Sequence, residues 1–156
     1  MHLGGVTANP SGGWTVQQAR NLALTLDERF ADIRFLIRDR GSNFTRSFDA
    51  VFEAPGARIL RTAVQAPRMN ATCERLVGTL RREILDRVLI LGQTHLRAVL
   101  TEYQEHYNTA RPHQGIEQRV PDEHDERRID AADLDNERIH RRSVLNGLIN
   151  EYTHAA

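Results

Sequence analysis

Several absences bound this 156-residue chain before any motif is read. There is one cysteine, Cys73, so an intrachain disulfide and a cysteine-rich zinc site are both excluded. No apolar run approaches the roughly 18 uncharged residues that a membrane-spanning helix needs. The opening Met1-His2-Leu3-Gly4-Gly5 has neither a basic start nor a long apolar stretch, so it does not read as a secretory signal, and a cytoplasmic protein is expected. No glycine-rich phosphate loop, serine nucleophile elbow or zincin histidine pair is present. Lysine is missing altogether: all 21 basic residues are arginine. Arginine serves well on phosphate, because its planar fork bonds two oxygens at once.

What is present suits one globular domain. Apolar residues make up 40% of the chain, enough for a core. The 21 arginines and 21 acids cancel, but they are not evenly spread. Residues 38–119 carry 13 Arg against 9 acids, while residues 120–156 carry 5 Arg against 9 acids. A basic middle and an acidic tail are hidden by the zero sum.

The order of elements reads as α/β. Leu3 to Thr7 suggests the end of a strand entering the Asn9-Pro10-Ser11-Gly12-Gly13 turn. Thr15 and Gln18 have the spacing of a capping box, followed by Val16, Ala19, Leu22, Ala23, Leu26 and Phe30 on one helical face. Ile33 to Ile37 and Ala57 to Thr62 are strand candidates, with a helix from Arg46 to Ala54 between them, capped by Thr45. A long helix is expected from cap Asn70 to about Leu91, with Cys73, Leu76, Val77, Leu80, Ile84 and Val88 buried. Thr94 caps a further helix bearing Leu96, Val99, Leu100, Tyr103 and Tyr107. Residues 122–141, with eight acids and four arginines, read as a solvated linker. Beyond it, Asn146-Gly147 between apolar runs signals a two-residue hairpin turn, and a short amphipathic helix is the competing reading.

Three clusters invite a chemical reading. Asp39 stands where a strand ends and a glycine turn begins, the place where α/β sheets gather functional residues. The same position suits a carboxylate that only caps the turn or pairs with Arg38 or Arg40. Glu74 falls in the first turn of a helix, where the dipole favours a carboxylate for stability and a rigid ligand would also sit. Magnesium takes one or two protein carboxylates, and two such ions about 4 Å apart can drive phosphoryl transfer. Arg81 lies within about 20° of Glu74 on the helix face, with Gly78 between them and Arg82 alongside. That face suits metal and phosphate, or plain pairing with Glu83 and Asp86. The third cluster is His106, Tyr107, Asn108, Arg111, Pro112 and His113, near a helix end.

Asp39-Arg40-Gly41-Ser42-Asn43-Phe44 resembles the D-R-G-S-x-[FY] motif of the integrase/transposase catalytic core, the DDE recombinases. Pro67-Arg68-Met69-Asn70-Ala71-Thr72-Cys73-Glu74-Arg75 is similar to that family's P-x-x-N-A-x-x-E-R motif. The 34 residues between Asp39 and Glu74 come close to the family's usual spacing. Thr79-Leu80-Arg81-Arg82-Glu83 and Tyr107-Asn108 through Arg111-Pro112-His113 resemble further signatures, so the likeness covers about residues 14–121. The end, Val144 to Tyr152, resembles that of a bacterial transposase subgroup.

The resemblance implies an RNase H-like fold, Mg2+ or Mn2+ as cofactor, and strand transfer in which water or a DNA 3′-hydroxyl attacks a phosphodiester. It makes Asp39 and Glu74 the catalytic and metal-ligand positions. It puts Arg40, Asn43, Arg68, Asn70, Arg75, Arg81, Arg82, Arg111 and His113 on DNA, mostly at phosphates. The expected partners are DNA and either further copies of the chain or a full-length transposase, with no membrane. One departure matters: the family's first aspartate has no counterpart, since Asp27, Glu28 and Asp32 all lie in or just after the first helix. The expectation is therefore an N-terminally truncated core over 1–121, lacking its first strands, then a linker over 122–141 and a hairpin tail over 142–156. Such a fragment would be inactive alone. The alternative is a non-catalytic DNA-binding or regulatory fragment acting with a full-length transposase.

Overall fold

A computed structural model describes residues 1–63, 67–122 and 139–154, and most of the expected linker lies outside them. The chain divides into two compact units, one of residues 4–93 and one of residues 1–3 with 94–156.

In the first unit, helix α1 (Gly12–Leu26) begins three residues earlier than the capping-box reading placed it. Ser11 is the cap: its hydroxyl accepts from the Trp14 amide at 3.2 Å, and Thr15 sits inside the first turn, donating to the Ser11 carbonyl at 3.0 Å. A serine there satisfies an otherwise orphaned amide, which outweighs the poor helix propensity of Gly12 and Gly13. The expected strand at Leu3–Thr7 is not formed. A turn of 3-10 helix (Asp27–Phe30) leads to strand β1 (Phe35–Arg38), helix α2 (Arg46–Glu53) and strand β2 (Arg58–Arg61). β1 and β2 pair in parallel, Phe35 opposite Arg58 through Arg38 opposite Arg61, with α2 as the crossover. β1 starts two residues later than Ile33, because its ladder begins where the Arg58 amide meets the Arg34 carbonyl at 2.9 Å.

One face of this two-stranded sheet carries the core. Val16 and Ala19 from α1, Phe30, Phe48 and Phe52 from α2, and Ala57 are buried together, with Leu36 and Ile59 packed against them. The rings of Phe30, Phe48 and Phe52 stand 5.2–5.3 Å apart in tilted pairs, within the favourable range for aromatic contact. The starts of α1 and α2 approach so closely that a Cβ at Gly12 would lie 2.6 Å from Thr45 Cγ2. Strand alternation turns Phe35 and Ile37 to the other side, where they are 53% and 48% exposed.

Beyond β2, a 3-10 turn (Pro67–Asn70) packs beside β1 and opens into helix α3 (Ala71–Leu80). The Ala63 amide meets the Met69 sulfur at 3.3 Å. Instead of continuing to Leu91, α3 widens into one turn of π-helix (Arg81–Leu85), where the Asp86 amide donates to the Arg81 carbonyl at 2.9 Å. Of its expected stripe only Leu80 and Ile84 are buried; Cys73 and Val77 are exposed. Periodicity defines which side of a helix is apolar, but not whether anything covers it.

In the second unit, helix α4 (Gln93–Thr109) starts one residue before Thr94, which lies in its first turn and is not its cap. α4 buries Val99, Tyr103 and His106. Strands β3 (Ile139–Val144) and β4 (Ile149–His154) pair antiparallel. They are joined by the four residues Leu145–Leu148, not by a two-residue turn, since the last paired residues are Val144 and Ile149. Leu145 and Asn146 both take left-handed backbone angles (φ 53 and 54). That conformation is unfavourable for leucine, and it is held by burial of the side chain and by a 2.6 Å bond from the Leu145 amide to Glu102 Oε1. The strand pair is fixed to α4 by a buried polar set. His106 Nδ1 donates to Glu151 Oε1 at 2.8 Å, and Arg142 Nε donates to Glu151 Oε2 at 2.9 Å.

Two stability outcomes follow from this packing. Phe52→Ala should cost about 3–5 kcal/mol, read as a fall in the urea midpoint, whereas Val77→Ala should stay within about 0.5 kcal/mol. Glu151→Ala should cost about 2 kcal/mol, because His106 and Arg142 both lose a charged acceptor, and amide exchange in β3 and β4 should accelerate accordingly.

Candidate metal and nucleic-acid site

Asp39 follows β1 directly, at the carboxyl end of the parallel pair. Its side chain forms a tight turn in which the Gly41 amide donates to Oδ1 at 2.8 Å, and the Phe44 amide closes on the Gly41 carbonyl at 3.1 Å. A Cβ at Gly41 would lie 3.0 Å from that same Oδ1, so a glycine suits the turn. Asp39 is exposed, and Oδ2 has no partner among the described residues. Its carboxylate pairs with neither Arg38 nor Arg40. Arg38 turns inward, and Arg40 Nε donates to the Thr62 carbonyl at 3.0 Å, tying the loop to the end of β2.

Beneath this loop lies a buried ion pair. Arg38 Nε and a terminal nitrogen donate to the two oxygens of Asp49 at 2.7 and 2.6 Å, both side chains being almost wholly buried. Its remaining nitrogen donates to the Asp39 carbonyl at 2.8 Å. Arg61 adds a third contact to Asp49 at 3.0 Å. The hydrogen bonds from Arg38 hold the Asp49 carboxyl below its ordinary value, against the opposing effect of burial, with Arg61 reinforcing them. The hydrogen bond to Asp49 likewise raises Arg38.

Glu74 lies in the first turn of α3, exposed and without a hydrogen bond or ion pair among the described residues. The 3-10 turn from which α3 starts packs beside β1. The Met69 sulfur, at 3.3 Å from the Ala63 amide just past β2, brings the turn before α3 to the end of the sheet where Asp39 lies. Asn70 holds the cap position of α3, but its side chain makes no capping bond. Arg75, Arg81 and Arg82 are exposed on α3 and its π turn, with Arg81 only loosely paired to Asp86 at 3.8 Å. Asn43 is half-buried in the loop, and the side chain of Arg68 lies outside the described residues.

Arg111 and His113 belong to the other unit. His113 Nε2 donates to the Tyr107 carbonyl at 3.0 Å and its ring stands edge-on to Tyr107 at 4.4 Å. The Arg111 guanidinium lies 5.4 Å over the Tyr107 ring and 3.4 Å from His113 Nδ1. This cluster closes the end of α4.

The donor chemistry at Asp39 and Glu74 is that of a hard cation: exposed carboxylates with free oxygens, of which Mg2+ needs one or two when water completes its shell. No group of three His, Cys, Asp or Glu side chains suited to a metal is gathered among the described residues. Asp27 and Glu28 lie in the 3-10 turn after α1, and Asp32 in the turn that follows it, none of them on a strand.

A parallel β-α-β unit with a carboxylate just past one strand and arginines exposed on a following helix places the first unit among α/β proteins. Residues 55–121, less than half of the chain, match the family model of the integrase core domain, so this stretch is similar to part of an integrase or transposase catalytic core. The matched segment runs from the end of α2 past α4 and contains Glu74; Asp39 precedes it. The family implies an RNase H-like fold and a part in DNA integration, and the mixed α/β elements agree with it. No curated protein and no solved structure matches the chain. No helix among the described residues is long and apolar enough to cross a membrane.

Asp49 escaped the sequence reading. Its only signal is an acid next to Phe48 on the inward side of an amphipathic helix, where an uncompensated charge would be costly. Because its carboxyl titrates lower folded than unfolded, it stabilises the unit above its ordinary value of 3.8, and that contribution is lost as pH falls through the lower folded value. The urea midpoint of the first unit should therefore drop below about pH 4, and Asp49→Asn should flatten that drop while lowering the midpoint at pH 7.

Proposed function

We propose that this chain supplies two carboxylates, Asp39 and Glu74, to a DNA strand-transfer site that takes Mg2+ or Mn2+. What supports the reading is an exposed Asp39 with a free oxygen at the carboxyl end of a parallel strand pair and an exposed Glu74, unpaired among the described residues, inside the segment that matches the integrase core. When bound, such an ion polarises the phosphodiester and lowers the pKa of an attacking hydroxyl. Asp39 would hold it with Oδ2, since Oδ1 is committed to the Gly41 amide. Glu74 would hold it from the first turn of α3. Arg40, Asn43, Arg68, Asn70, Arg75, Arg81 and Arg82 of the first unit would track the DNA backbone, and Arg111 and His113 are proposed as separate DNA contacts of the second unit.

The third carboxylate of a DDE site is not supplied by Asp27, Glu28 or Asp32, so the catalytic core over 1–121 is inactive by itself. It acts as a multimer or beside a full-length transposase, with 122–141 as a linker and 142–156 as an appended hairpin. A second reading, a DNA-binding or regulatory module without catalysis, is favoured by the lack of a gathered three-residue metal group among the described residues.

The test uses the full chain with duplex DNA and Mn2+. Asp39→Asn and Glu74→Gln should each weaken Mn2+ binding about tenfold while leaving DNA affinity within about twofold, and the chain alone should not nick DNA. Unchanged Mn2+ binding in both variants would favour the module. In either case DNA affinity should fall about 10²- to 10³-fold between 50 and 200 mM salt, as expected for about five phosphate contacts.

A further inference from the structure

We propose that Arg38 is the positioning residue for Asp39, setting the direction of its carboxylate through a clamp that Asp49 holds in place. The inference rests on the reading of Asp39 as a metal-ligand position, and it concerns a side chain that never meets the metal. Three nitrogens of one planar guanidinium are used at once. Two grip both oxygens of Asp49 on α2, and the third grips the main-chain carbonyl of Asp39 at 2.8 Å. Rotation of the side chain would break all three bonds together, so the peptide after Asp39 is fixed relative to α2.

The same guanidinium lies 5.7 Å over the Phe44 ring, at the far end of the loop. The loop is thus held at its start by the Asp39 carbonyl and at its end by the Phe44 ring. Between them, the Gly41 amide engages Asp39 Oδ1, leaving Oδ2 without a partner among the described residues. Arg61, 60% exposed, adds a second guanidinium to Asp49 from the neighbouring strand.

Stability alone does not account for this arrangement. A buried ion pair is frequently no better than apolar residues of equal volume. Here Arg38 occupies a strand position on the core face, where an aliphatic residue would extend the packing of Leu36 and Ile59. What the arginine adds is a third, directed donor. Lysine keeps the charge but lacks the fork, so it cannot serve both Asp49 oxygens and the Asp39 carbonyl in one geometry.

The experiment is NMR on the isotope-labelled full chain, with two readouts: exchange of the Gly41 amide, and broadening of Asp39 and Glu74 signals by Mn2+. Arg38→Lys should keep the dispersed signals of the phenylalanine core, speed Gly41 exchange at least tenfold, and raise the Mn2+ concentration for half-broadening about tenfold. Arg61→Lys, which keeps the clamp, should leave both within twofold. A folded Arg38→Lys protein with unchanged Gly41 exchange and unchanged Mn2+ titration overturns the proposal, as does an equal effect of Arg61→Lys. The wild-type chain gives a reading even if Arg38→Lys does not fold. The clamp requires a separate, slowly exchanging Arg38 Nε–H signal with contacts to Asp49, and a freely rotating guanidinium there overturns it. Asp39→Asn separates the two levels: if it leaves Mn2+ broadening unchanged, the metal reading fails, while Gly41 exchange still reports on the clamp.

Discussion

The ion pair between Arg38 and Asp49 fixes three things against one another: the end of β1, the inner face of α2 and the loop that carries Asp39. Taking two charges out of water is costly, and the cost is recovered only where every strong donor and acceptor is used. Asp49 meets this condition with three contacts from two arginines, and no buried side-chain polar atom among the described residues lacks a partner. The hydrophobic core supplies the bulk of the driving force. Six buried residues centred on Phe48 and Phe52 draw α1, α2 and one face of the sheet together. That core would tolerate small slips of α2 along the strands. A bidentate pair with fixed geometry does not.

The second unit solves a similar problem differently. Its strand pair presents few large apolar residues to α4, so Val144 and Leu145 are supplemented by His106, Glu151, Arg142 and Glu102 acting as directed contacts. The left-handed Leu145 shows the same balance, an unfavourable backbone conformation held by a buried side chain and a short bond to a carboxylate. In both units a polar contact sets the position that apolar burial alone would leave loose.

Much of the local structure was legible in the residues. Thr45, the Phe48/Phe52 spacing and Pro55-Gly56 bound α2 closely, because capping and breaking are short-range effects. Asp39 at a strand end and Glu74 at a helix start were legible for the same reason. The start of α1 is ambiguous in the sequence because two plausible caps, Ser11 and Thr15, lie within one turn, and in the structure it is Ser11 that accepts from a free amide. The reach of α3 was overestimated because its apolar pattern continues past Leu85 while the chain turns at Asp86. The four-residue connection between β3 and β4 depends on Glu102, more than forty positions away, which no local turn rule contains.

By itself the sequence determined most of the element types, the basic middle of the chain and the motif-bearing carboxylates, since these depend on composition, spacing and near neighbours; the strand expected at Leu3–Thr7 is the exception. Only the tertiary structure decided that Arg38 points inward to Asp49 and leaves the Asp39 carboxylate to Gly41. It also decided that Val77 and Cys73 stay exposed, and that His106 is spent on Glu151. The physical reason is one of range. Propensity and capping act over a few residues, whereas the cost of burying a charge is settled by whichever partner the folded chain brings within hydrogen-bond distance.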